Sequence, residues 1–128
     1  MLNPGILGQS SCLVTAENSA ANMGSGLLPV YATPAMIALI EKAACESVLP
    51  YLDEGCGTVG TELRVKHLAA TPLGMTVTAK TELTAVEGRK LTFKVEAFDE
   101  AGKIGEGEHE RFIIQNEKFL AKTNAKKA

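Results

Sequence analysis

Three polar side chains are of the types that can carry hydrolytic chemistry: the hydroxyl of Thr33, the carboxylate of Glu41 and the imidazole of His67. On a 3.6-residue period Glu41 shares a helix face with Ile37, Ala44, Cys45 and Val48, while Lys42 and Glu46 form an ordinary exposed pair elsewhere. A carboxylate on an apolar face is costly unless it has a partner. Either this face meets a cleft that needs the carboxylate, or it meets a rim where Glu41 stays solvated. His67 takes the inward place in the alternation Leu63, Val65, His67, which suits a hydrogen-bonded core imidazole as well as an acid–base catalyst. Thr33 reads as a helix cap. It also stands beside the free N–H groups of a helix start, which favour a developing negative charge. A hydroxyl, a carboxylate and an imidazole in one cleft could polarise water or carry an acyl intermediate. Thr33 and Glu41 are about two helical turns apart, roughly 12 Å along the axis. A tight relay therefore requires a bend at the helix start, or a Thr that serves the opposite subunit's cleft.

The elements that must position these groups are legible around them. Pro34 suits a first helical turn, and residues 34–49 are rich in helix formers, with Met36, Ile37, Leu39, Ile40, Ala43, Ala44 and Val48 apolar. Pro50, Gly55 and Gly57 end that helix, which is apolar over most of its circumference and should be largely buried. Residues 12–15 predict a first strand, and 17–26 a loop rich in Asn, Ser and Gly. Downstream, 58–69, 75–86, 91–98 and 104–115 alternate as strands, joined by turns at Thr71-Pro72-Leu73-Gly74, Glu87-Gly88-Arg89 and Asp99-Glu100-Ala101-Gly102. One buried helix followed by antiparallel strands is an α+β pattern, the hotdog arrangement of a curled sheet wrapped around a central helix. A sheet of this size leaves an edge strand and part of the helix uncovered, so a homodimer is expected.

Length and composition bound the rest. The 128 residues fit one domain, 1–128, with 45% hydrophobic and 22% charged residues. Aromatics are 5% and Trp is absent, so the core must be aliphatic. A net charge of −2 gives no reason to expect a nucleic-acid partner. Cys12, Cys45 and Cys56 are odd in number and lack CxxC spacing, which argues against disulfides and metal and for reduced thiols in a cytoplasm. No signal peptide, anchor or membrane-spanning run is read. Residues 22–28 form a candidate gate and 117–128 a basic tail.

Several blocks together carry a family resemblance: Val30-Tyr31-Ala32-Thr33, the helix with Glu41, Gly57-Thr58-Val59-Gly60-Thr61, Val65-Lys66-His67, Ala69-Ala70-Thr71-Pro72, Val86-Glu87-Gly88-Arg89, His109-Glu110-Arg111 and Glu117-Lys118-Phe119. With their spacings kept, they resemble the fluoroacetyl-CoA thioesterase family of the hotdog superfamily. The resemblance implies hydrolysis of an acyl-CoA thioester without metal or cofactor, on a homodimer with sites at the subunit interface. It carries the family's catalytic Thr, Glu and His onto Thr33, Glu41 and His67. Gly60 then holds water and the thioester carbonyl, His67 is acid or base toward the CoA thiolate, and Glu41 is base or nucleophile. Val30 and Leu27 fall beside the acyl group. The family's fluoroacetyl-specific enzyme covers its pocket with phenylalanines, whereas Gly24-Ser25-Gly26-Leu27-Leu28-Pro29 has no aromatic, which points to a general short-chain acyl-CoA.

Arg111 and Lys118 read either as binders of CoA phosphates or as solubilising charges, and His109 as structural or interfacial. Two other functions compete. Hotdog dehydratases and isomerases pair an Asp with a His five residues later, but Glu62 and Ile104 stand at that distance here. A non-catalytic acyl-CoA binder would keep the pocket without turnover.

Overall fold

In the computed structural model, which describes residues 1–127, five antiparallel strands curl around one long helix. The strands are β1 (Leu7–Leu13), β2 (Cys56–His67), β3 (Thr76–Glu87), β4 (Lys90–Phe98) and β5 (Lys103–Gln115). Their order across the sheet is β1-β3-β4-β5-β2. The helices are α1 (Ala20–Met23), the central α2 (Thr33–Val48) and α3 (Asn116–Asn124). This is the expected α+β hotdog architecture.

The helix forms where Pro34 presets the first turn and ends where Pro50 follows Leu49. Met36, Leu39, Ile40, Ala43, Ala44 and Val48 are its buried stripe. They pack on Val77, Ala79, Leu83, Leu91, Phe93, Val95 and Ala97, the inward residues of β3 and β4. A large aliphatic side chain buried this fully contributes roughly 1.5–3 kcal/mol. Gly105 lets the helix approach β5, since a Cβ there would stand 2.8 Å from Met36 Sδ.

Three sequence expectations need correction. The first strand runs over Leu7–Leu13 rather than 12–15. It is held by pairing with β3, from Leu7 opposite Glu82 to Leu13 opposite Thr76, and not by an apolar pattern of its own. Second, Thr33 is not the helix cap. Ala32 holds that place in extended backbone, and Thr33 is already helical. The expected loop at 17–26 contains α1, capped by Ser19, whose hydroxyl accepts from the Asn22 N–H at 3.3 Å. Gly24 ends it in the left-handed region with φ 76°. The basic C-terminal segment is helical over α3, with Glu117 in its first turn and Lys122 in its last, the signs the helix dipole favours.

β2 lies at the sheet edge, and none of its twelve residues is fully buried. It also carries a bulge. Gly60 pairs with Arg111 and Glu62 with Glu110, leaving Thr61 as the extra residue. Alternation alone would turn Gly60 and Thr58 away from Leu63, Val65 and His67. The bulge resets the phase and brings both to the inner face. No helix among the described residues is long and apolar enough to cross a membrane.

Candidate active site

The helix start and the end of β2 bring two of the three candidate residues together. Thr33 Oγ1 lies 2.7 Å from His67 Nδ1. The hydroxyl, free of capping duty, is available for this bond. When it donates to Nδ1, the imidazole proton sits on Nε2, which is buried and has no partner among the described residues. Burial pushes the His67 pKa below its ordinary 6.5, partly offset by the nearby Ala69 backbone carbonyl, which favours the protonated ring. The ring is thus neutral at pH 7, the form that can accept a proton. Thr33 and His67 line a cavity of about 310 Å³ with Val30, Tyr31, Ser25 and Ala69. Leu27 is 94% exposed and does not line it.

Glu41 stands apart from this pair, about 12 Å further along the helix. Its side chain is 38% exposed, and its Oε2 is 3.5 Å from the Arg111 guanidinium, which is 6% exposed. The carboxylate is both partnered and open to one side, which joins the two readings its helix face allowed. Gly60 faces it directly. A Cβ at Gly60 would be 2.5 Å from Glu41 Oε2, 3.2 Å from His109 Cε1 and 3.4 Å from Arg111 Nη1. Only glycine leaves room for the carboxylate there.

Arg111 is not where a CoA phosphate could meet it. Its Nε donates to Thr58 Oγ1 at 2.8 Å, Nη2 to the Thr58 carbonyl at 2.9 Å and Nη1 to His109 Nε2 at 3.1 Å. A buried guanidinium so occupied serves the interior. His109 is fully buried, stacks on Phe93 with ring centroids 6.1 Å apart, and donates from Nδ1 to the Glu62 carbonyl at 2.8 Å. Burial lowers its pKa from the ordinary 6.5. The alternation of β5 carried a signal for both residues, because Gly107, His109, Arg111 and Ile113 share one face. Lys118 is exposed on α3 and lines a groove of about 390 Å³ with Arg89, Lys122, Phe119, Ile113 and Cys56. Cys12, Cys45 and Cys56 are free and half-buried.

Comparison with known proteins places the fold and the family. The family model for the fluoroacetyl-CoA-specific thioesterase FlK matches residues 14–117. The fluoroacetyl-CoA thioesterase of Streptantibioticus cattleyicolor is 48% identical over 97 residues, 76% of this chain and 70% of that protein. A single-site variant of FlK solved in complex with acetyl-CoA superposes with a TM-score of 0.93 at 36% identity, covering 99% of this chain and 100% of that one. A thioesterase superfamily member from Thermus thermophilus gives 0.90 at 31% identity, over 98% of this chain and 93% of that one. With the family model spanning both halves of the site, from the helix start through β5, the chain belongs to the fluoroacetyl-CoA-specific thioesterase family.

Proposed function

We propose that this protein hydrolyses a short-chain acyl-CoA thioester to the acid and CoA, with Thr33, Glu41 and His67 as its catalytic residues. The observation that carries the reading is the 2.7 Å bond between Thr33 and a neutral, desolvated His67 at the start of a helix. A helix N-terminus stabilises the oxyanion that forms when a thioester carbonyl is attacked. Glu41, its carboxylate set against Gly60, supplies the attack, as base toward water or as nucleophile through a mixed anhydride. In the base route the proton that Glu41 takes from water passes by way of His67 to the departing CoA thiolate. In the anhydride route the thiolate leaves first, and neutral His67 then takes a proton from the water that hydrolyses the anhydride and delivers it to the thiolate.

The protein acts as a homodimer in this reading. β2 offers a long edge with no fully buried residue, and Glu41 is too far along the helix to serve the Thr33–His67 pair of its own chain. A second copy paired along β2 supplies the missing carboxylate. Val30 bounds the acyl group and residues 22–28 act as the gate. Lys118 meets the CoA phosphates from the basic groove of α3. The reaction belongs to a cytoplasmic pool of CoA esters.

The stretch Gly24-Ser25-Gly26-Leu27-Leu28-Pro29 has no aromatic to wall in a two-carbon acyl group. Acetyl-, propionyl- and butyryl-CoA should then be cleaved with similar efficiency, since one methylene in an apolar pocket is worth only ~1–3 kcal/mol. The test is a panel of acyl-CoAs with released thiol detected by a chromogenic disulfide. Acyl groups altered with CoA retained, or saturable binding without thiol release, would reject hydrolysis. A preference for fluoroacetyl- over acetyl-CoA beyond about a thousandfold would reject the open-pocket reading.

A further inference from the structure

We propose that His109 and Arg111 are positioning residues for Glu41, linked in a directional chain of hydrogen bonds anchored on the bulge of β2. The inference rests on the proposed catalytic role of Glu41.

The chain begins at the Glu62 carbonyl, beside the bulge residue Thr61. That carbonyl can only accept, so His109 Nδ1 carries the proton of the 2.8 Å bond between them. In the neutral ring Nε2 is then an acceptor, and Arg111 Nη1 donates to it at 3.1 Å. On its other side the guanidinium is clamped by the Thr58 hydroxyl and carbonyl, at 2.8 and 2.9 Å. Held from both sides, its plane is fixed, and Nη1 faces Glu41 Oε2 at 3.5 Å. Thr58 reaches Arg111 because the bulge turns it inward. The same shift faces Gly60 toward Glu41 and leaves the carboxylate its space. A planar fork pinned at three nitrogens sets direction as well as charge, which a lysine could not do.

The chain has a polarity that two substitutions read separately. His109→Asn keeps a donor near Nδ1, toward Glu62, but loses the acceptor for Arg111. His109→Gln keeps an acceptor near Nε2 and loses the donor. Both cost core packing against Phe93, so a purely structural role predicts equal losses of activity. Positioning of Glu41 predicts that His109→Asn lowers kcat roughly tenfold or more at little changed KM, and His109→Gln clearly less. In a Glu41→Gln background, His109→Asn should cost almost nothing further, because there is no carboxylate left to aim. Thr58→Val reads the same guanidinium from the opposite side without entering the core at His109, and should lower kcat several-fold. It decides the matter if the His109 variants do not fold. Equal losses for Asn and Gln, or losses that multiply in the Glu41→Gln background, overturn the inference, as does wild-type kcat in Thr58→Val when the His109 variants are unfolded. A fully active Glu41→Gln variant instead overturns the catalytic assignment on which the inference rests.

Discussion

Thr33 and His67 are joined by a single 2.7 Å hydrogen bond, and their variants should differ in a way that reflects it. Glu41→Gln and His67→Ala are each expected to lower kcat/KM by at least ~100-fold with the fold intact, as loss of acid–base groups does. Thr33→Ala should lose less. Because Ala32 rather than Thr33 caps α2, its melting temperature should stay close to that of the parent, where removal of a true cap would cost about 1 kcal/mol. Burial lowers the pKa of both His67 and His109, so each binds its proton less readily folded than unfolded. From the ordinary 6.5 downward the unfolded chain takes up protons that the folded chain refuses. Stability should therefore be flat above that value and fall on its acid side, whereas kcat/KM should hold to lower pH and fall only through the depressed pKa of folded His67, checked by melting and rate profiles across pH. A residue's chemistry was legible wherever it broke its own pattern. Glu41 interrupts an apolar face and His67 an apolar alternation. Arg111 was harder, because alternation sets it on one face with His109 and Ile113 but says nothing of what a buried cation does there. Its partners, Thr58 and His109, show it.

At the scale of elements, the decisive feature is the extra residue in β2. Without it, Gly60 and Thr58 would lie on the opposite face from His67, Gly60 away from Glu41 and Thr58 away from Arg111. Gly60→Ala tests the close approach. Its Cβ would collide with the free end of a flexible side chain rather than with backbone. The protein should therefore fold and melt normally while kcat falls by roughly 10–100-fold as Glu41 swings aside. Normal kcat in that variant would show that the space beside the carboxylate is not used. The helix and β2 to β5 could be read from sequence because prolines, turn glycines and alternation mark them. β1 could not, since Gly8-Gln9-Ser10-Ser11 has no apolar rhythm and owes its conformation to β3. The bulge was equally hidden, because alternation assigns faces by parity and one inserted residue changes parity without changing composition.

For the whole molecule, the question is what lies beyond the free edge of β2. A monomer at micromolar concentration in sedimentation would count against the proposed dimer, because β2 would then expose its edge to water along its full length. A dimer leads to a sharper expectation, through the two helical turns that separate Glu41 from Thr33 and His67. If every site draws its carboxylate from one chain and its imidazole from the other, damage to the two groups can be sorted into different sites. Glu41→Gln and His67→Ala proteins, each inactive alone, would be mixed, unfolded and refolded together. Random pairing puts half of the chains into hybrid dimers, and in each hybrid one site carries both lesions while the other carries none. Activity should return to roughly a quarter of the parental level. If Glu41 and His67 of one chain served the same site, every hybrid site would hold a lesion, and mixing two dead proteins would restore nothing.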